Sequence, residues 1–275
     1  MIYRDLRNNE KGELHSVFTA YITESPIISL APHSGTLIPN DLEGRLITDQ
    51  FLTDADLATR QIYNLGHTLI STSLSRNVVD LNRARNDESS TGVIRRVAFD
   101  DSEILSEPYS EAMREALLTN FYDPFFAYIN KAIEMNKGKK MLILNGHSMD
   151  SVIPKTRERD ESERNYLFGL MTTNRTLAEP KLIQTFIEYI ADKAREFIEV
   201  PEGMDVIRED EPYEEVVGGI SERYGRPQNG INSFLLEINK NLIHNDETFE
   251  FYHDNVKKLN QLLRNAIEEV SKVLN

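Results

Sequence analysis

The sequence predicts an α/β sandwich around a mostly parallel sheet, on the strength of two observations. Four short runs rich in Ile, Leu or Val recur along the chain, and amphipathic helical patterns lie between them. The runs are Pro26–Ala31, Thr68–Leu74, Met141–Leu144 and Ser233–Ile238, each four to seven residues long. Continuous apolar content over that length suits strands buried on both faces. Val93–Phe99 is expected to add an edge strand. Asp123 is expected to cap a helix with Pro124 in its first turn, followed by Phe125, Phe126, Ile129, Ala132 and Ile133 on one face. Pro180 opens another, with Leu182, Ile183, Phe186, Ile187, Ile190 and Ala194 as its apolar stripe. The last helix is expected from about Thr248 to Leu274, its stripe running from Tyr252 to Val270. These stripes read as core faces. Two segments resist assignment: Pro154–Asn165, a mixed charge run, reads as a solvated loop, and Val200–Glu215, with Pro201, Gly203 and Pro212, as a long surface loop. Neither has the composition of a linker, so residues 1–275 are expected to form one domain.

Composition narrows the function. A chain of 275 residues, 40% apolar and 28% charged, is an ordinary globular protein with a sizeable core. It has no stretch of 18 apolar residues and no apolar leader after Met1, so neither a membrane span nor secretion is expected, and a cytoplasmic site is. Zero cysteines exclude disulfides, iron–sulfur clusters and zinc-thiolate sites, leaving His, Asp and Glu to hold any metal. The net charge of −14 opposes non-specific binding to nucleic acid or anionic membranes. It does not decide the charge of a small substrate, because a local arginine cluster can bind an anion. No motif speaks to the oligomeric state.

The chemistry-bearing residues gather at one place in this scheme. Ligands of open α/β sheets collect beyond the carboxyl ends of the strands. The first strand ends in Pro32-His33-Ser34-Gly35, the second in Ser75-Arg76 with Asp80-Leu81-Asn82-Arg83 beyond, and the third in Asn145-Gly146-His147-Ser148. The fourth carries Glu237 within an apolar strand, where an ionised carboxylate is costly unless it is paired or functional. Tight turns would present both imidazoles at fixed angles, and two histidines with one carboxylate form a common catalytic zinc set. Glu237 then reads as a general base tuned by partial burial. His15, His67, His244 and His253 lack such settings and read as structural or surface residues. No Gly-x-Ser-x-Gly elbow supports a serine hydrolase, and no Gly-x-Gly-x-x-Gly fingerprint supports a dinucleotide enzyme.

Several blocks together resemble the N-formylglutamate amidohydrolase family in order and spacing. They are Pro32-His33-Ser34-Gly35-Thr36, Arg76-Asn77-Val78-Val79-Asp80-Leu81-Asn82-Arg83, Gly146-His147-Ser148, Gly218-Gly219-Ile220 with Tyr224-Gly225, and Leu236-Glu237. The resemblance runs from about residue 26 to 240, and the block ending in Asp80-Leu81-Asn82-Arg83 is its most specific piece. That family is similar in turn to zinc carboxypeptidases and aspartoacylases. The resemblance implies a three-layer α/β sandwich with a mixed, mostly parallel central sheet, zinc-carboxypeptidase-like. It implies one divalent metal ion, zinc, held by His33 and His147, with Glu237 as catalytic acid/base and Asn82 and Arg83 as binders of the substrate carboxylate. The acidic ligand of that family aligns with Asp56, with Asp54 as the competing position. Carboxypeptidases place it three residues after the first histidine, where this chain has Thr36. Asn145 stands where many relatives are acidic, and Arg223 where relatives often carry histidine.

The expected reaction is therefore metal-assisted hydrolysis of a small N-acyl amino acid with a free carboxylate, gripped by Arg83 together with Arg76. Asp80 reads as a structural partner of Arg76 or Arg83. The family resemblance points to N-formyl-L-glutamate, cleaved to formate and glutamate in histidine breakdown. A carboxypeptidase-like or broader N-acyl-amino-acid deacylase is the alternative enzyme, and a binding protein that kept the pocket without turnover is the alternative from another class.

Overall fold

The computed structural model of the chain describes residues 2–8, 14–39, 42, 45, 47, 50–152, 164–212 and 218–274, with the backbone alone for 2–8 and 14–16. The four predicted apolar runs form the centre of an eight-stranded sheet of order β1-β2-β4-β3-β5-β8-β6-β7. β3 (Ile27–Ala31), β4 (Thr68–Thr72), β5 (Met141–Met149) and β8 (Ile231–Asn239) lie mutually parallel and are buried along nearly their whole length. Burial on both faces is why they are apolar without alternation.

The flanks make the sheet mixed. β2 (Leu14–Tyr21) runs antiparallel to β4, and β1 (Ile2–Asn8) antiparallel to β2. On the other side β6 (Tyr166–Met171) is antiparallel to β8, and β7 (Asp205–Glu209) pairs parallel with β6. β7 falls inside Val200–Glu215, which the sequence reads as a loop. It is an exposed or half-buried edge strand, so it carries no apolar run to announce it. The rest of that prediction, residues 213–215, and residues 154–163 of the Pro154–Asn165 loop lie outside the described residues.

Two further expectations are corrected. Val93–Phe99 is not a strand; it contributes one isolated bridge, Val97 to Glu103, while the amides of Arg96 and Val97 donate to Ser90. Three of its side chains are buried by packing in a loop instead: Val93, Arg95 and Ala98 are almost fully enclosed. Nor does Asp123 cap a helix. The helix starts at Glu111, where the Ser110 hydroxyl accepts the Met113 amide, and α2 (Glu111–Leu117) runs through a π turn, Leu118–Tyr122, into α3 (Asp123–Met135). Pro124 is tolerated mid-helix because the widened π turn removes the clash with the carbonyl four residues back.

α4 (Pro180–Phe197) begins at its proline as expected, α5 (Ile220–Tyr224) is short, and α6 (His253–Leu274) begins five residues after Thr248. α4, α6 and the short α1 (Thr59–Ile62) share one core with Leu142, Leu144, Phe234 and Leu236 of the sheet. The α2–α3 helix covers the other face, against Ile28, Leu30, Ile70 and Ile143. Fully burying a Leu or Ile side chain contributes about 1.5–3 kcal/mol, so these layers are held by packing. Among the described residues no helix is long and apolar enough to cross a membrane.

Strand alternation then sorts the polar residues. Residues 142 and 144 of β5 face α4 and α6, so Asn145 and His147 share the opposite face with Ile143. In the parallel register His147 pairs with Glu237, which places both side chains on that face. His147 thus sits inside β5, three residues past the predicted strand end at Leu144, because the β5–β8 pairing continues to Met149 opposite Asn239.

Candidate active site

Two loops and one strand bring His33, Asp56 and His147 into a single buried cluster, their donor atoms all within 4.8 Å of one another. Asp56 Oδ2 lies 3.3 Å from His33 Nδ1 and 3.0 Å from His147 Nδ1, and the imidazole centroids are 4.8 Å apart. The turn after β3 that carries His33 closes tightly on the chain after β4. A Cβ at Gly35 would lie 2.0 Å from the Ser73 carbonyl carbon, so only glycine allows Leu37 N to reach Ser73 O at 2.8 Å. The Asp56 amide donates to the His33 carbonyl at 2.9 Å, and the Ser148 hydroxyl reaches Asp56 Oδ1 at 3.4 Å.

The tautomer of each histidine follows from its partners. Asp80 Oδ1 lies 2.8 Å from His33 Nε2 and, as a carboxylate, can only accept, so Nε2 carries the proton and Nδ1 is left with its lone pair. For His147 the argument starts further out. The Ile220 amide donates to Asn82 Oδ1 at 2.9 Å, which fixes that side chain. Asn145 Nδ2 donates to the same oxygen at 3.1 Å, so Asn145 Oδ1 is the atom 3.1 Å from His147 Nε2. His147 therefore donates from Nε2, while its Nδ1 faces the Asp56 carboxylate at 3.0 Å and is the nitrogen turned into the cluster. Asn145, though neutral, orients the ring.

Burial works against ionisation of Asp56, but its contacts with His147 and His33 outweigh burial and hold the carboxyl well below its usual range. Asp80 behaves alike: burial opposes its charge, and Arg76 and His33 prevail. Glu237 goes the other way, raised by burial despite the opposing pull of His147. Its Oε2 and the His33 Nδ1 are buried and make no well-aligned hydrogen bond. An unsatisfied buried imidazole nitrogen beside an ionised carboxylate is what a divalent cation would complete. The donor set, two imidazole nitrogens and one carboxylate, fits zinc.

A model of the N-formylglutamate amidohydrolase family matches residues 25–244. The chain belongs to that family. Membership makes it an amidohydrolase acting on a small-molecule substrate. The crystal structure of N-formylglutamate amidohydrolase from Ralstonia eutropha JMP134 has a TM-score of 0.75 at 21% identity, covering 92% of this chain and 98% of that one. A gene product of Agrobacterium tumefaciens has a TM-score of 0.70 at 18% identity, covering 96% and 100%. Both share the fold. A metallo-carboxypeptidase from Pseudomonas aeruginosa aligns at TM-score 0.40 and 9% identity, over all of this chain and 65% of that one. No curated protein sequence matches the chain.

The family-derived residues fall into two groups around this cluster. Arg76 is pinned by Asp80 Oδ2 at 2.8 Å, and Asp80 Oδ1 also accepts the Asn82 amide at 3.0 Å. Arg83 is half-buried and its Nε donates to the Thr91 carbonyl at 3.2 Å. Asp54 turns away from the histidines and meets Arg95 at 3.3 Å. Arg95 also donates to Asn77 at 3.3 Å and stacks 4.2 Å over Phe99, so it ties the loop of Asp56 to the loop of Asp80. Of the other histidines, His67 meets the Ser25 hydroxyl, His244 is buried beside Phe249 and Phe251, and His253 is exposed at the start of α6. The side chain of His15 lies outside the described residues.

Sequence reasoning passed over three supports of the site. The Tyr63 hydroxyl donates to the carbonyls of His147 and Leu236, clamping β5 to β8 where the site begins. Its ring lies where a Cβ on Gly146 would be, 2.5 Å away, so Gly146 serves this contact as well as any turn. Lys240, almost fully buried, holds the Thr53 carbonyl at 2.6 Å and Asp150 at 2.7 Å, and Arg95 is the third. Their only sequence signal is a charged or polar residue within an apolar stretch, which does not name a partner.

Proposed function

We propose that the protein hydrolyses the amide bond of an N-acyl amino acid, N-formyl-L-glutamate foremost, with one zinc ion held by His33, Asp56 and His147. The observation that carries this is the buried cluster of these three beside Glu237, which lies in register with His147 on the neighbouring strand. When bound, such an ion polarises the amide carbonyl and lowers the pKa of water toward about 7.

The remaining work falls to the chain's own groups. Glu237 accepts a proton from the attacking water at Oε2 and returns it to the departing amine, serving as base and then acid. Its position inside an apolar strand raises its pKa toward the range where both transfers are feasible. Asp80 and Asn145 hold the two imidazoles with Nδ1 toward the site. Arg83, aided by Arg76, grips the substrate α-carboxylate, and Asn82 orients it.

The test is metal analysis of the isolated protein combined with a formate-release assay over N-formyl, N-acetyl and N-succinyl amino acids. The expected result is about one zinc per chain, with formate released fastest from N-formyl-L-glutamate and activity lost on chelation. Turnover that survives complete metal removal would overturn the metal assignment. A metal-loaded protein that cleaves none of the acyl amino acids would overturn the reaction.

A further inference from the structure

Beside the Asn82–Arg83 turn lies a cavity of about 410 Å³, walled by Tyr122 and Phe126 and by the side chains of Arg85, Arg223, Arg226 and Glu222. Three guanidiniums and one carboxylate around a cavity run against a chain of net charge −14. The cations are not equivalent. Arg85 is neutralised by Asp123 and Glu115, both at 3.0 Å. Arg226 donates to the carbonyls of Glu222 and Gly225, and Glu222 in turn accepts the Gly218 amide.

Arg223 has no carboxylate partner among the described residues. Its guanidinium lies 4.3 Å over the Phe126 ring and 5.5 Å from that of Tyr224. A guanidinium laid flat on rings keeps in-plane N–H donors for a planar anion. The aromatic wall comes from the π turn: Leu118–Tyr122 sets Tyr122 and Phe126 in a 4.4 Å stack, with Tyr224 stacked 6.3 Å beyond Phe126. The cavity also abuts the groups read above as gripping the α-carboxylate. The Tyr122 hydroxyl donates to the Arg83 carbonyl at 2.9 Å, and the Ile220 amide, next to Gly219 of the cavity wall, holds Asn82.

We propose that this cavity receives the side chain of the amino-acid half of the substrate, and that Arg223 binds a second carboxylate at its far end. The proposal rests on the reaction assigned above and adds the residue that selects among its substrates. Arginine, unlike histidine, keeps its charge at every working pH. The volume lies within the range for whole small ligands, roughly 300–1,000 Å³. A carboxylate-bearing side chain one methylene longer than that of glutamate therefore also fits.

The experiment compares kcat/KM for N-formyl-L-glutamate, N-formyl-L-2-aminoadipate and N-formyl-L-glutamine in wild type, Arg223→Gln and Arg223→Lys, each loaded with zinc. Glutarate binding is measured by calorimetry on the same proteins. The glutamate-over-glutamine preference should fall tenfold or more in Arg223→Gln, through KM, with part of it kept in Arg223→Lys. Wild type should cleave the aminoadipate compound within about tenfold of glutamate, and glutarate should bind at least tenfold more weakly to Arg223→Gln. An unchanged preference in Arg223→Gln overturns the proposal. If no protein cleaves any of the three, the reaction assignment fails and the glutarate titration decides alone. Equal binding to wild type and Arg223→Gln then removes the subsite too, and weaker binding to the variant retains it.

Discussion

Asp80→Asn changes one atom's chemistry and should disturb both metal affinity and stability. Asp80 is fully buried and accepts from His33 Nε2 and Arg76 Nη2 at 2.8 Å each, and from the Asn82 amide at 3.0 Å. Asparagine has one accepting oxygen and an NH₂ that can only donate. If the oxygen turns to His33, the NH₂ faces Arg76 and leaves a buried guanidinium without its carboxylate, a loss of about 3–5 kcal/mol. If the oxygen turns to Arg76, the NH₂ faces His33 Nε2. The ring must then move its proton to Nδ1, the atom that points into the cluster. Losing such an orienting partner costs about 10- to 100-fold in metal affinity. Zinc competition against a chromophoric chelator reads the affinity, and urea unfolding of metal-free protein reads the stability. The pH dependence has a definite sign. Because the folded pKa of Asp80 is depressed, its contribution is present above the unfolded value of about 3.9 and is lost as pH falls through the lower folded value. That acid-side loss should shrink in the variant. Zinc affinity within twofold of wild type, together with an unchanged unfolding midpoint, would refute the reasoning.

Four other outcomes follow from the same geometry. Asp56→Asn should lose zinc, whereas Asp54→Asn should keep it. The latter should destabilise by only about 1–3 kcal/mol, because burial raises Asp54 against the pull of Arg95 and leaves their pair weak; the reverse ranking in zinc titrations would move the acidic ligand to Asp54. Glu237→Gln should lower kcat by a factor on the order of 10² to 10⁴ with zinc content and KM retained, and loss of zinc instead would make Glu237 a ligand. Since only ionised Glu237 can take the water proton and burial raises its pKa, the acid-side fall of kcat/KM should begin above the ordinary glutamate value of about 4.3 and disappear in Glu237→Gln. Arg83→Lys should raise KM for acyl amino acids about tenfold, roughly 1.4 kcal/mol, and erase the preference for the free acid over its amide, whereas an intact preference would assign the carboxylate to another arginine.

Much of this architecture was legible in the linear chain because central strands and amphipathic helices write their burial into composition. β3, β4, β5 and β8 lie where continuous apolar runs occur, and α4 starts at its proline. β7 escaped because an exposed edge strand buries too little to shape its residues, and the Asp123 cap was wrong because a π turn leaves no local signature. Segment by segment, the residues determine which stretches are buried, that metal binding must rest on imidazole and carboxylate, and that polar residues collect at the strand ends. Which of two aspartates two positions apart meets the histidines is set by tertiary contacts: Asp54 is drawn to Arg95, 41 residues away, and Asp56 to His147, 91 residues away. The choice of imidazole nitrogen passes through Asp80, and through Ile220, Asn82 and Asn145 in turn. Such long-range hydrogen bonds have no period and no fixed spacing, so only the folded chain, by closing strand against strand, decides them.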